Sequence, residues 1–352
     1  MSAISLQQGS NCVVGQFRAM ASPCEILLEQ QDQALCGKLT QLAAQEAQRI
    51  EQKYSRYRSD SVLSQLNQHT GQWQHIDAET AALLQFANTC YTLSAGLFDI
   101  SSGILRRAWQ FDGSDNIASQ QQLDTLLPFI GWHKVRLDAN QLFLPEGMEL
   151  DLGGIAKEYA VDKVLQLLSQ QFSAADLPGF VVNFGGDMAC NRPRDDGSLW
   201  RIGIDKPSEE LGIGHEFEAI IQLNNESMAT SGNYRNFKEQ DGVKYVHTIN
   251  PKTGWPEVNN TLSVSVIAKD CATADAYATA FMVMGVEQSI SFIESHPEYT
   301  EKIRPFLLLA GEFELLEKFD IEMSYICTHF LAFCVSVSIK ITDLCCIYRP
   351  SA

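Results

Sequence analysis

Asp275 and Thr279 stand four residues apart in Ala274-Asp275-Ala276-Tyr277-Ala278-Thr279-Ala280. On a helix that spacing puts both side chains on one face. Both offer hard oxygen atoms among small neighbours, which suits Mg²⁺, an ion that takes a few protein oxygens and keeps the rest for water or phosphate. The same pair also has a plainer use: an acidic group near a helix N-terminus complements the dipole, and a threonine hydroxyl bonds the carbonyl one turn back.

A second group is Asp151-Leu152-Gly153-Gly154-Ile155-Ala156-Lys157, a strand running through two glycines into a helix. Glycines allow close backbone approach, and a helix N-terminus offers free N–H groups to an anion. Lys157 falls in the first turn, where a cation opposes the dipole, so its place hints at an anionic partner. By spacing alone the segment is equally a structural turn. Asn183-Phe184-Gly185-Gly186-Asp187 also ends a strand in paired glycines, but it lacks G-x-G-x-x-G and reads as a tight turn. His247 lies near the end of a strand, ahead of the Pro251 turn. Beside an anion site it is a candidate general base; otherwise it is structural. Ala229–Tyr234 reads as a polar turn after a strand. Gly96–Ile100 brings an aromatic and a carboxylate that suit a flat heterocycle.

These residues need elements to hold them. Apolar spacing predicts a helix over Gly37–Tyr57, a short one capped at Ser59–Ser61 and running through Leu66, and a third capped by Asp77. Short strands are expected at Val135–Leu137, Leu142–Leu144 and Met148–Leu152, then a helix from Ile155 to about Gln170. Further strands follow at Phe180–Phe184, Trp200–Asp205, Ala219–Leu223, Tyr245–Ile249 and Leu262–Ile267, with an Ala-rich helix over Cys271–Met284. Runs of strands without a steady βαβ rhythm indicate an α+β fold. One elaborate domain is expected up to about Leu316, followed by an apolar, Cys-rich tail over 317–352. The tail reads as an extra strand or helix on the domain, or as a membrane- or partner-binding segment.

The chain has 352 residues, 45% of them hydrophobic and 20% charged, which excludes disorder as the main state. A net charge of −17 repels a phosphate backbone, so nucleic acid is not an expected ligand. Any anionic ligand needs a local positive device. The ten cysteines form no C-x-x-C pair and no zinc spacing, and read as buried thiols in a reducing compartment. No secretory signal is visible, and no membrane span is predicted in residues 1–316. The expectation is a cytoplasmic chain.

Nine stretches, in this order, carry a resemblance: MASPCEI (Met20–Ile26), YSRYRSDSVLSQLN (Tyr54–Asn67), GLFDIS (Gly96–Ser101), DLGGIAKEYAVD (Asp151–Asp162), VVNFGGD (Val181–Asp187), WRIGIDKP (Trp200–Pro207), ATSGNY (Ala229–Tyr234), HTINPKTGWP (His247–Pro256) and ADAYATAFMVMG (Ala274–Gly285). Together they resemble the ApbE family, the FAD:protein FMN transferases. The resemblance spans about residues 15–315, within a domain set at 15–316. It implies an ApbE-like, T-fold-related domain of mixed sheets flanked by helices. It also implies Mg²⁺-dependent transfer of the FMN part of FAD to a Thr or Ser hydroxyl of a target flavoprotein, releasing AMP. Some members instead hydrolyse FAD to FMN and AMP, and a non-catalytic FAD-binding protein would use the same cleft. Carried onto this chain, Asp275, Thr279, the Gly154 carbonyl and the Ala278 backbone would hold Mg²⁺. Lys157 would neutralise phosphate. Met20, Tyr57, Leu97, Phe98, Asp99 and Asp151 would line the FAD site, with Ile249 near the flavin. His247 would activate the attacking hydroxyl, making His247, Lys157 and Asp275 the catalytic set. Glu158 departs from the small residue expected after the Lys and adds a negative charge there.

Overall fold

The computed structural model describes residues 3–9, 12–109, 117–173, 175–205, 217–232, 237–240, 243–246, 248–257, 261–300, 302–309 and 339–341. The chain opens with strands β1 (Ser5–Gln8), β2 (Val13–Ala19) and β3 (Ser22–Leu28). Helices α1 (Gln33–Tyr54) and α2 (Val62–Gln68), strand β4 (Trp73–His75) and helix α3 (Ala78–Leu93) follow. A 3-10 helix over Ile100–Arg107 leads to α4 (Gln120–Leu126), β5 (Arg136–Asp138), β6 (Gln141–Phe143) and α5 (Ala156–Ser169). The second half holds β7 (Phe180–Phe184), β8 (Asp187–Cys190), β9 (Trp200–Asp205), β10 (Phe217–Leu223), β11 (Ser227–Gly232), β12 (Phe237–Gln240), β13 (Val243–Val246) and β14 (Thr261–Ala268). It closes with α6 (Cys271–Ser295), α7 (Pro297–Thr300), β15 (Arg304–Leu309) and β16 (Ile339–Ile341). The expected α+β class is what is found.

Eight strands form one sheet in the order β1-β2-β3-β7-β8-β11-β14-β15. Each neighbouring pair is antiparallel. Alternation decides what covers each face. Val13, Phe17, Ile26, Leu28, Val182, Phe184, Ala189, Val264 and Val266 share one core with the apolar sides of α1, α5 and α6. The residues between them, including Val14, Leu27, Val181, Met188 and Ile267, pack against Trp200, Ile202 and Leu223 of β9 and β10. The sheet therefore sits between a helical layer and a smaller sheet. A third cluster gathers Ile104, Leu105, Trp109 and Leu123, with Ile249 and Trp255 at its edge.

Two of the helices start where side-chain caps were expected. Ser61 Oγ accepts from Ser64 N at 3.0 Å, and Asp77 Oδ1 accepts from Thr80 N at 2.8 Å. Helix α1 begins before Gly37, because Asp32 Oδ1 accepts from Ala34 N (2.9 Å) and Leu35 N (3.1 Å) and sets the start there.

Several expectations are corrected. Met148–Leu152 is not a strand: Asn67 takes the Leu150 carbonyl (2.9 Å) and N–H (2.8 Å), and the Asp151 N–H goes to the Ile100 carbonyl (2.8 Å). With those groups engaged, no ladder can form there. Ala229–Gly232 is not a turn but the end of β11, paired with β14 from Ala229↔Val266 to Gly232↔Ser263. Of the expected strand Tyr245–Ile249, Tyr245 and Val246 lie in β13, whereas Thr248 is outside any strand and Ile249 makes an isolated bridge to Pro256. Helix α6 extends past Met284 to Ser295 across a kink at Gly285 (φ 69°). Cys24, Cys36, Cys90, Cys190 and Cys271 are free and buried as expected, whereas Cys12 is disulfide-bonded. Of the tail, the described part is β16, which pairs with β9. Among the described residues no helix is long and apolar enough to cross a membrane.

Gly15 lies on the helix-facing side of β2, where a Cβ would fall 1.9 Å from Thr40 Oγ1 of α1. Thr40 is fully buried, and its hydroxyl bonds the Cys36 carbonyl at 2.8 Å, so it has little room to move. Gly15→Ala is expected to destabilise the chain by about 1–3 kcal/mol in urea titration, and Gly15→Ala/Thr40→Ala to recover much of the loss.

Candidate functional site

The β7–β8 connection fixes the first acidic group. Phe184 pairs with Asp187 across a two-residue turn, with Gly185 at φ 66° and Gly186 at φ 108°. Such a turn needs positive φ at both central positions, which glycine supplies without strain. The Gly186 N–H is held by Asn183 Oδ1 at 2.9 Å. Asp187 thus opens β8 on the same face as Ala189, towards the helices. It is buried; Oδ1 accepts from Thr230 N of β11 at 3.0 Å, and Oδ2 accepts from Lys157 Nζ.

Lys157 and Glu158 come from the first turn of α5. Lys157 Nζ also meets Glu158 Oε1 at 3.1 Å. Glu158 is only 2% exposed, and its Oε2 has no hydrogen-bond partner. Asp275 comes from α6, whose start is clamped from two sides. Asp270 caps Thr273 N (2.8 Å), and Asp162 of α5 accepts from Cys271 N (2.8 Å) and Ala272 N (3.1 Å). One carboxylate oxygen from each of Glu158, Asp187 and Asp275 lies within 4.8 Å of the others. One turn along α6, Thr279 Oγ1 is 2.9 Å from Ser231 Oγ of β11.

The electrostatics follow from this crowding. Burial works against charge on Lys157, but Asp187 and Glu158 outweigh it, and its pKa sits well above the usual value. Burial pushes Glu158 up to about 7, with Lys157 pulling the other way and Asp187 adding to the rise. Asp275 is raised well above the carboxylate range by burial, then by Glu158 and Asp187. Asp162 is raised to about 7 by burial, against the two N–H groups it accepts. Displaced carboxyl groups that share one place in a fold mark a functional site candidate.

The other expected residues fall into smaller groups. Asp151 Oδ1 accepts from Gly153 N at 2.9 Å, and its Oδ2 pairs with Arg56. Arg56 donates to the Tyr57 hydroxyl at 2.7 Å, and Tyr57 is 84% exposed. Asp151 and Tyr57 are thus joined through Arg56. Phe98 is buried and packs at Gly154, where a Cβ would sit 3.6 Å from its ring. Leu97, beside it, is half-buried. Asp99 is engaged structurally: Oδ1 accepts from Ser101 N (2.8 Å) and Ser101 Oγ (2.6 Å), and Oδ2 accepts from Trp132 N (3.1 Å). Met20 and Ala21 form the β2–β3 turn at φ 53° and 57°, a left-handed conformation uncommon for such side chains. Ala278 is fully buried on α6. Ile249 belongs to the third cluster, with Trp109 and Trp255. His247 lies outside the described residues.

Sequence reasoning missed Asp187, Asp162 and Arg56 as members of the site, and placed Glu158 there only as an extra negative charge. Glu158 carried a signal, since it sits three residues after Ile155 and three before Val161, both buried on the inner face of α5. Lys157 was expected to face a ligand phosphate; the anions it meets here are the protein's own Asp187 and Glu158.

Removing the lysine leaves the carboxylates without their cation. Lys157→Met is expected to cost about 3–5 kcal/mol in urea unfolding at neutral pH, and Lys157→Met/Asp187→Asn less than the single variant.

The comparisons with known proteins agree with this architecture. The model of the ApbE family matches residues 20–303. The FAD:protein FMN transferase of Vibrio cholerae is 34% identical over 253 residues, covering 70% of this chain and 73% of that protein. The FAD:protein FMN transferase of Treponema pallidum is 33% identical over 270 residues, covering 71% and 72%. The crystal structure of the ApbE protein from Thermotoga maritima matches with a TM-score of 0.72 at 26% identity, covering 88% of this chain and 94% of that one. The flavin transferase ApbE from Vibrio cholerae matches with a TM-score of 0.72 at 29% identity, with the same coverage. With the family matched over most of its length and relatives above 30% identity, this chain belongs to the ApbE family.

Proposed function

We propose that this chain transfers the FMN part of FAD to a Thr or Ser hydroxyl of a target flavoprotein, releasing AMP. The observation that carries this reading is the buried carboxylate group around Asp275, at the first turn of α5, in a chain whose relatives bear the name FAD:protein FMN transferase. The domain proposed to do this spans residues 15–316, followed by the apolar, Cys-rich tail over 317–352.

The residues present fit Mg²⁺. Asp275, Thr279, the Gly154 carbonyl and the Ala278 backbone all offer oxygen, the donor type this ion takes. The unpartnered Oε2 of Glu158, in the same cluster, is a buried polar atom that a cation would satisfy. When bound, the ion supplies charge neutralisation at the pyrophosphate. Phosphoryl transfer depends mainly on such neutralisation and on positioning.

The chain's own groups do the rest. The N–H groups at the start of α5 offer donors to phosphate oxygens, and Lys157 adds positive charge at that helix end. Phe98 at Gly154, together with Leu97 and Met20, would give the ring system apolar surface, and Ile249 would lie near the flavin. Tyr57 and Asp151, tied through Arg56, would line the FAD site, and Asp99 orders the segment that follows Phe98. His247 takes the proton from the acceptor hydroxyl as that oxygen bonds to the FMN phosphorus. The bond from that phosphorus to the bridging oxygen breaks, and AMP leaves with the bridging oxygen.

Asp275→Ala is expected to slow AMP release from FAD and Mg²⁺ by about 100-fold or more, with an acceptor peptide present and the fold checked by circular dichroism. AMP release at the wild-type rate would remove Asp275 from the machinery. FAD bound but never cleaved by the wild-type chain would favour a non-catalytic FAD-binding protein.

A further inference from the structure

We propose that Glu158 turns the cluster into a preformed divalent-cation site, able to hold the ion before FAD arrives. The inference rests on the reading of Asp275 as a cation ligand, and adds Glu158 and Asp187 to it.

Three observations meet here. Carboxylate oxygens of Glu158, Asp187 and Asp275 lie within 4.8 Å of one another, a span that one ion can bridge. Glu158 is 2% exposed, and its Oε2 is buried without a hydrogen-bond partner while Oε1 faces Lys157. A carboxylate oxygen placed so costs free energy unless something positive meets it. Among the described residues, Lys157 is the cation paired with this group: it serves Asp187 and Glu158, and no hydrogen bond or ion pair joins it to Asp275. With all three carboxylates ionised, Lys157 leaves two negative charges uncompensated, and a divalent cation cancels both. The donors are all carboxylate oxygens, which select Mg²⁺, Mn²⁺ or Ca²⁺ over softer ions. They come from α5, β8 and α6, regular elements held by the sheet and by the Asp162 clamp, so the site is assembled without a ligand.

A site built only around Asp275, Thr279 and backbone oxygens would lean on the FAD pyrophosphate for its remaining donors. A site that includes Glu158 would bind the ion without it. The two cases separate in a measurement that involves no turnover.

The probe is Mn²⁺ alone, added to the full chain freed of FAD and metal, with free Mn²⁺ read by electron paramagnetic resonance and the melting temperature read in parallel. Wild type is expected to bind one Mn²⁺, to release it to excess Mg²⁺, and to melt higher in its presence. Glu158→Gln is expected to weaken that binding by about 10-fold or more and to lose most of the melting shift, with Glu158→Asp between the two. If Glu158→Gln does not fold, Glu158→Asp and Glu158→Ala carry the comparison, judged by circular dichroism before titration. Equal Mn²⁺ affinity in wild type and in a folded Glu158 variant would overturn the inference, as would no binding without FAD. Should wild type still add FMN to a Thr-bearing acceptor peptide and release AMP with Mg²⁺ in either case, the transferase reading stands and the preformed site alone falls. Tight Mn²⁺ binding without any AMP release would leave the site and remove the activity.

Discussion

Lys157 is the hinge of the electrostatics in this fold. It joins Asp187 on β8 to Glu158 on its own helix, beside Asp275 from a second helix. Carboxylate oxygens within 4.8 Å of one another, if both groups are charged, repel by on the order of 3 kcal/mol at an effective dielectric of about 20. Three of them behind a helical layer are tolerable only with a cation among them or with protons shared between them. The raised pKa values of Glu158 and Asp275 express the same tension.

The sheet exists in the right form to hold that tension. A two-glycine turn sends β8 back along β7 so that its first residue faces the helices. β11 supplies both the Thr230 N–H to Asp187 and the Ser231 hydroxyl to Thr279. Asp162 ties the start of α6 to α5 through two backbone N–H groups. These contacts fix the donors in regular elements, and packed strands and helices position side chains more tightly than loops do.

Much of this was legible in the sequence. Four-residue spacing placed Asp275 and Thr279 on one helix face, and Ser61 and Asp77 announced their helices. Asp187 escaped because a residue after two glycines reads as turn, and its role depends on which way β8 faces, a long-range property. Ala229–Gly232 looked like a turn because its residues are small and polar, yet pairing with β14 made it a strand; ladder partners override local preference. Met148–Leu152 erred in the opposite direction, its backbone claimed by Asn67 and Ile100. Glu158 was visible as an extra charge; its three-residue spacing from Ile155 and Val161 hinted at the inner face, and its burial shows the charge there.

The most direct test of the functional reading is the mass of a Thr-bearing acceptor peptide after incubation with the chain, FAD and Mg²⁺, with AMP measured in the same sample. A peptide that gains one FMN, with one AMP released for each, is the predicted result. FMN and AMP free in solution, with every acceptor peptide tried left unlabelled, would contradict it and make the chain an FAD pyrophosphatase.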